Sequence, residues 1–285
     1  MKTSLHAPLS LLGLVLFPFL AAALLAPWVW RGLHGFLDYP FPRYVDRCLM
    51  VSALLGLALF WKGLGIGWDE LGWRRAPART VSAAARLGLI SAALALELAV
   101  LCGGREWLDL ISLSSAFGIL AGALALSLAE ECLFRGVVQT VLAKRFGPFP
   151  AIAAGSLLFA LLHYLKVPAD FRPFHPGAGD GFRAVGLAFT PFAGGGWLQP
   201  RLGLLVAVGA ILGLLRWRSG SLWPCVALHA AWVFAARVGT GLTLGYPSHW
   251  AGGDFSANPL SFVSLALVAL AVWKFPVFSS TPHRR

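Results

Sequence analysis

Charge is scarce in this chain: 12% of its 285 residues are Asp, Glu, Lys or Arg, against about 25% in soluble globular domains. That shortfall excludes an ordinary water-facing surface. Cysteine is sparse too, and the four present, Cys48, Cys102, Cys132 and Cys225, stand apart with no C-x-x-C spacing. Neither a disulfide framework nor a zinc knuckle is encoded. Acids number 12 against 23 bases, for a formal charge of +11, but the cations are scattered between apolar runs instead of gathered in a stripe. They flank membrane spans, and a nucleic-acid partner is excluded. No Ser/Pro-rich linker, composition break or internal repeat divides the chain, so a single integral membrane domain over 1–285 is expected.

What the chain does hold is apolar: 58% hydrophobic residues and a mean hydropathy of +0.74. With about 20 apolar residues needed to cross the hydrocarbon core, eight spans are predicted, near 8–30, 48–66, 82–103, 112–134, 149–166, 201–216, 220–238 and 258–277. The fold class is therefore all-α, a polytopic transmembrane bundle with an intramembrane polar cavity. The first run continues through Trp28 and Trp30, beyond the 7 to 15 residues of a signal-peptide core, and reads as a retained helix. Fourteen of the 23 Lys and Arg residues fall in loops on the side of the N-terminus. The positive-inside rule then places both termini in the cytoplasm, and the expected location is a bacterial inner membrane. Segment 68–77 mixes Trp with Arg and reads as an interfacial elbow. The Gly-, Pro- and Phe-rich stretch 167–200 is either a loop or a re-entrant segment.

The chemistry is expected where charge interrupts an apolar run. Residues 130–136, Glu-Glu-Cys-Leu-Phe-Arg-Gly, place two carboxylates and an arginine at the end of the run Ala116 to Ala129. An ionised side chain at mid-membrane costs at least about 2.5 to 3.5 kcal/mol, so such groups mark a functional interior. Glu131 and Arg135 are four residues apart and can neutralise each other. Glu130 is rotated about 100° away and is the better candidate to take a proton from water. A bracing ion network is the bland alternative. Phe159 and His163 are also spaced four apart in the next run, and His229 follows Gly220-Ser-Leu-Trp-Pro in a later one. Either histidine alone is ambiguous. Two acids, an arginine and two histidines on three segments suggest convergence on a hydrolytic site. Glu97, within Leu-Ala-Leu-Glu-Leu-Ala-Val, ranks lower, as does Cys132.

The ordered motifs Glu-Glu-x-x-x-Arg-Gly at 130–136, Phe-x-x-x-His at 159–163 and Ser-Gly-Ser-Leu-Trp-Pro with His229 resemble those of the CPBP (Abi, CAAX-protease and bacteriocin-processing) family of intramembrane proteases. The resemblance covers a protease-like core at 110–240. It implies an eight-helix bundle with a conical cavity open to the membrane, a lipid bilayer around it, and a peptide or protein substrate entering from the membrane: a prenylated tail, a peptide leader or a C-terminal sorting segment. Carried across, it makes Glu130 the residue that activates water, His163 its assistant and His229 a holder of the oxyanion. The family pattern continues His-x-x-x-Asn, whereas this chain has Val233. Loss of one oxyanion donor lowers turnover about 100- to 1000-fold, so the Trp232 indole or a backbone amide takes that place, or the enzyme is slow or inactive.

Two further alternatives stay open on the sequence. Glu130, His163 and His229 form a Glu/His/His set that would suit a catalytic zinc, although neither histidine belongs to a His-Glu-x-x-His motif, and metal-free chemistry is favoured. A noncatalytic scaffold or a transporter would use the same polar groups differently. The transporter lacks the repeated broken helices such folds show.

Overall fold

The structure is a computed structural model that describes residues 6–108, 113–193, 200–246 and 259–279. Along the chain run α1 (His6–Leu33), α2 (Phe41–Leu64), a 3-10 turn at Trp68–Leu71, α3 (Ala78–Leu101), β1 (Arg105–Trp107) and α4 (Leu113–Glu131). A π-helical stretch, Cys132–Val138, leads into α5 (Gln139–Phe146), followed by α6 (Pro148–Leu162), α7 (Ala178–Leu187) and the single turn α8 (Thr190–Ala193). Then come α9 (Pro200–Ser219), α10 (Trp223–Leu242), β2 (Thr243–Gly245), α11 (Pro259–Lys274) and a 3-10 turn at Pro276–Phe278.

Each expected span coincides with a helix. Six are long and apolar enough to cross a membrane, and α6 and α11 are shorter apolar helices. The protein is an integral membrane protein. Its helices turn large apolar side chains outward, Leu9, Leu12, Leu16 and Leu20 on α1 among them, which is stable only where lipid covers them. The largest departure from the predicted spans is at 112–134: the helix continues without interruption to Phe146, covering Ser115–Phe146. Arg135 marks a loop on charge alone, yet it is buried and neutralised within the structure, so it does not end the helix.

The described residues group into two compact units, Met1–Ile66 with Leu161–Leu198, and Gly67–Ala160 with Gln199–Arg285. In the first, α1 and α2 pair around Ala22, Ala26, Phe41, Val45 and Cys48, joined by Val167 and by Ala184 and Ala188 from the α7 region. Small residues on α1 let its backbone lie close to its neighbours, the usual basis of helix packing in lipid. Much of the segment left open between loop and re-entrant stretch is thus helical, with α7 capped by Asp180, whose Oδ2 accepts the Gly177 N–H at 2.9 Å. Residues 194–199 lie outside the described ones.

In the second unit Leu204, Ile211, Leu212 and Leu215 of α9 pack with Cys225 and Leu228 of α10 and Leu265, Val268 and Val272 of α11. One end is closed by the antiparallel β1–β2 pair, where Arg105 Nε donates to Thr243 Oγ1 at 2.7 Å. The other end is the elbow after Gly67. Lys144 Nζ donates to Glu70 Oε2 at 2.7 Å, Arg216 Nη2 to the Glu70 carbonyl at 2.9 Å, and Ser221 Oγ to the Arg74 carbonyl at 2.7 Å. Gly72 permits this closure: its φ is +89°, and a Cβ there would stand 2.6 Å from the Arg216 guanidinium. Any side chain would be strained and would displace the arginine. All four cysteines are free.

Candidate active site

Three segments of the second unit assemble the site. α4 brings Glu130 and Glu131 in its last turn, the π-helical stretch brings Arg135, and α10 brings His229 five residues after Pro224. Glu131 is fully buried, and its Oε1 receives Arg135 Nη1 at 3.2 Å and His229 Nδ1 at 2.8 Å. The pairing across four residues is the one the spacing predicts. The convergence of His229 on these acids is also expected from the sequence; what spacing alone does not give is its direct bond to Glu131. On its other side His229 presents Nε2 to Glu130 Oε2 at 3.8 Å. One histidine ring therefore stands between two carboxylates that are adjacent in the chain.

Phe159 closes the back of the cluster. It is fully buried, meets His229 edge-on at 6.1 Å and Phe134 at 5.1 Å, and lies 4.7 Å below the Arg135 guanidinium. A cation over an aromatic face gains electrostatically when desolvated, and the ring keeps water from the ion pair. His163 belongs to the other unit. It falls just past the last helical residue of α6, in a turn carried on by the Tyr164 and Leu165 N–H groups donating to the Leu161 and Leu162 carbonyls. Phe159 is within α6 and His163 is the first residue after it.

Arg135 has a second anchor. Its Nη2 donates to the Gly209 carbonyl at 3.1 Å, and one turn later Gln139 Nε2 donates to the Gly213 carbonyl at 3.0 Å. Gly209-Ala-Ile-Leu-Gly213 is a G-x-x-x-G stretch on α9, which lets another backbone come near. A Cβ at Gly209 would stand 2.9 Å from Ser156 Cα. The π-helical geometry belongs to the same arrangement: the Gln139 N–H reaches back five residues to the Phe134 carbonyl. Single π turns recur at functional sites because the wider turn re-aims side chains. Sequence reading missed Gln139 and both glycines, although the G-x-x-x-G spacing in an apolar helix was a usable signal.

Other sequence candidates separate from the cluster. The Trp232 indole donates to Ser91 Oγ at 2.9 Å. That proton is engaged between α10 and α3. Glu97 lies on the exposed surface of α3, and Cys132 opens the π-helical stretch without an ion pair among the described residues. Nor does any group of three His, Cys, Asp or Glu side chains among the described residues stand ready to hold a metal ion. His229 Nδ1 is engaged by Glu131, which leaves Nε2 as the ring nitrogen that faces Glu130.

Comparison with known proteins converges on the same stretch. Residues 112–235 match the family model described as Type II CAAX prenyl endopeptidase Rce1-like. This stretch is Rce1-like. It contains every member of the cluster, from Glu130 to His229, and it also spans His163. A comparison with curated proteins returned no match. The Rce1-like stretch begins after α3 and ends within α10, so α1, α2, α3 and α11 lie outside it.

Proposed function

We propose that the protein is an intramembrane endopeptidase that hydrolyses a peptide bond with water activated by Glu130, and that His163 and His229 assist. One observation carries the reading: within an Rce1-like stretch, His229 is fixed by Glu131 on one nitrogen and faces Glu130 with the other at 3.8 Å. That gap is too long for a direct hydrogen bond and suits a single water held by both groups. Glu130 takes a proton from the water while the oxygen attacks the carbonyl carbon. The negative charge gathers on the carbonyl oxygen. As the C–N bond breaks, the proton passes to the leaving amine, giving a free acid and a free amine.

Glu131 fixes which end of His229 meets the reaction. With Nδ1 engaged, only Nε2 is left to face reacting atoms. Carrying a proton it donates to the oxyanion, and without one it accepts from water. His163 completes the set as a second imidazole that orients the water.

The reaction is proposed to run without a metal, so chelator is expected to leave activity intact. Loss of activity on chelation and its return with zinc would replace this mechanism by a zinc-dependent one. The substrate is proposed to be a membrane-associated or lipid-modified tail, and the cation-rich elbow end is proposed to face the cytoplasm of a bacterial inner membrane, with both termini on that side. Glu130→Gln and His163→Ala, each followed by mass spectrometry of a farnesylated CAAX-type peptide and of membrane proteins accumulating unprocessed, test the reading. Both variants are expected to stop cleavage. Undiminished processing in both would favour the noncatalytic scaffold that Val233 brings to mind.

A further inference from the structure

A cavity of about 490 Å³ lies at the elbow end of the second unit, with Arg74, Arg135, Lys144 and Arg216 in its wall against Asp69 and Glu70. Its size falls within the roughly 300 to 1,000 Å³ of small-molecule sites. Of the two acids, Glu70 is neutralised by a cation of the same wall. Glu70 accepts Lys144 Nζ and the Gly67 N–H, each at 2.7 Å, and the Lys144 ammonium, then the Gly67 N–H, hold its carboxyl below the usual range. Asp69 forms no ion pair among the described residues and is outnumbered in the wall by Arg74, Lys144 and Arg216. Arg135 is neutralised by Glu131.

Arg74 and Arg216 form no ion pair among the described residues. Arg216 is seated by its Nη2 bond to the Glu70 carbonyl and by the room Gly72 leaves. Its Nε is buried and has no hydrogen-bond acceptor. A buried donor left unsatisfied costs about 1 to 3 kcal/mol, more for a charged group, and the guanidinium that carries it lines the cavity without a counter-ion among the described residues. Two guanidiniums with open donors match the oxygens of a phosphate better than any neutral ligand does.

The tryptophans around the cavity indicate where such a phosphate comes from. Trp217 is in its wall, Trp73 and Trp223 pack at 5.9 Å beside the elbow, and Arg218 lies over Trp273. Tryptophans gather at the membrane–water boundary, where lipid phosphates lie, and basic pockets between helices hold lipid headgroups there.

We propose that this cavity is a phosphate-binding site, with Arg216 and Arg74 gripping the oxyanion. The site is independent of the peptidase reading, since neither arginine belongs to the cluster around Glu130. The test uses the full chain in phosphatidylcholine nanodiscs, titrated in one arm with phosphatidylglycerol and in the other with inorganic phosphate, bound ligand being counted by native mass spectrometry. One phosphatidylglycerol is expected to bind more tightly than the rest. Arg74→Gln, whose side chain makes no hydrogen bond, is expected to weaken it about fivefold, and Arg74→Gln with Arg216→Gln about 25-fold. Arg75→Gln, an exposed neighbour outside the wall, is expected to leave it unchanged. Phosphate binding with the same arginine dependence and no lipid preference would assign the site to a free anion. Equal binding by the wild type and Arg74→Gln, equal loss in Arg75→Gln, or no binding in either arm would overturn the proposal. Near-ultraviolet circular dichroism of each variant separates lost binding from lost folding.

Discussion

His229 points its Nδ1 at Glu131 Oε1, 2.8 Å away, from a helix that begins more than 90 residues further along the chain. The same oxygen holds Arg135. Glu131 therefore does two jobs that pull in different directions under mutation: it neutralises a buried cation, and it fixes the orientation of an imidazole.

Glu131→Gln is expected to separate them. Removing one partner of a buried ion pair destabilises by about 3 to 5 kcal/mol, because the remaining charge is left uncompensated. The amide still accepts a hydrogen bond from one neighbour, but the ring loses its charged anchor. Thermal unfolding in detergent should show a large drop in Tm, and cleavage assays a fall in kcat with little change in KM. Adding Arg135→Met removes the stranded charge and should restore much of the Tm without restoring kcat. Recovery of both together would mean that Glu131 acts through stability alone.

Val233→Asn supplies an amide four residues after His229, on the same face of α10. If Nε2 of His229 and that amide share the oxyanion, turnover should rise about 100-fold, the lower figure for one such donor. The measurement is kcat on the farnesylated peptide at matched protein stability. No gain would place the oxyanion elsewhere, with a backbone amide as its remaining donor.

Much of this arrangement was legible before any coordinates, and the reason is periodicity. Apolar length gave the eight helices, and four-residue spacing gave Glu131 with Arg135. What escaped were relationships between helices distant in sequence. Arg135 reads as a loop residue until its three partners, Glu131, Phe159 and the Gly209 carbonyl, are seen around it. Gln139 reads as a polar residue near a helix end, although it bonds a carbonyl inside α9. The π-helical stretch leaves no mark in composition, because it arises from how α9 and α10 receive the residues after Glu131.

Acid should loosen the elbow. Glu70, whose ordinary carboxyl value is 4.5, titrates lower in the fold because of Lys144 first and the Gly67 N–H second. Its contribution is therefore fully present above that ordinary value and is lost as pH falls through the lower folded value. The pair is partly exposed, so the effect is small, up to about 1 kcal/mol. Tm measured from pH 7 down to pH 3 should show wild type above Glu70→Gln at neutral pH, with the gap closing in the acid range. A gap that persists at pH 3 would assign the stabilisation to the neutral hydrogen bonds of the turn.

Gly209→Ala and Gly155→Ala should move stability in opposite directions, although both place alanine in an apolar helix. At Gly155 a Cβ meets nothing within 4 Å, so the substitution only restricts the unfolded chain and favours the helix, a gain of about 0.5 to 1 kcal/mol. At Gly209 the Cβ meets Ser156 Cα and Cβ at 2.9 Å. Neither atom is the end of a flexible chain, so α6 and α9 must part, at about 1 to 3 kcal/mol. The separation also draws the Gly209 carbonyl from Arg135 Nη2, and through Arg135 it reaches Glu131 and His229. Unfolding by titrated denaturing detergent gives both signs, and cleavage gives the second readout: Gly209→Ala should lose kcat as well as stability, Gly155→Ala neither. If Gly209→Ala kept full kcat, the anchor on α9 would have no part in aiming the cluster.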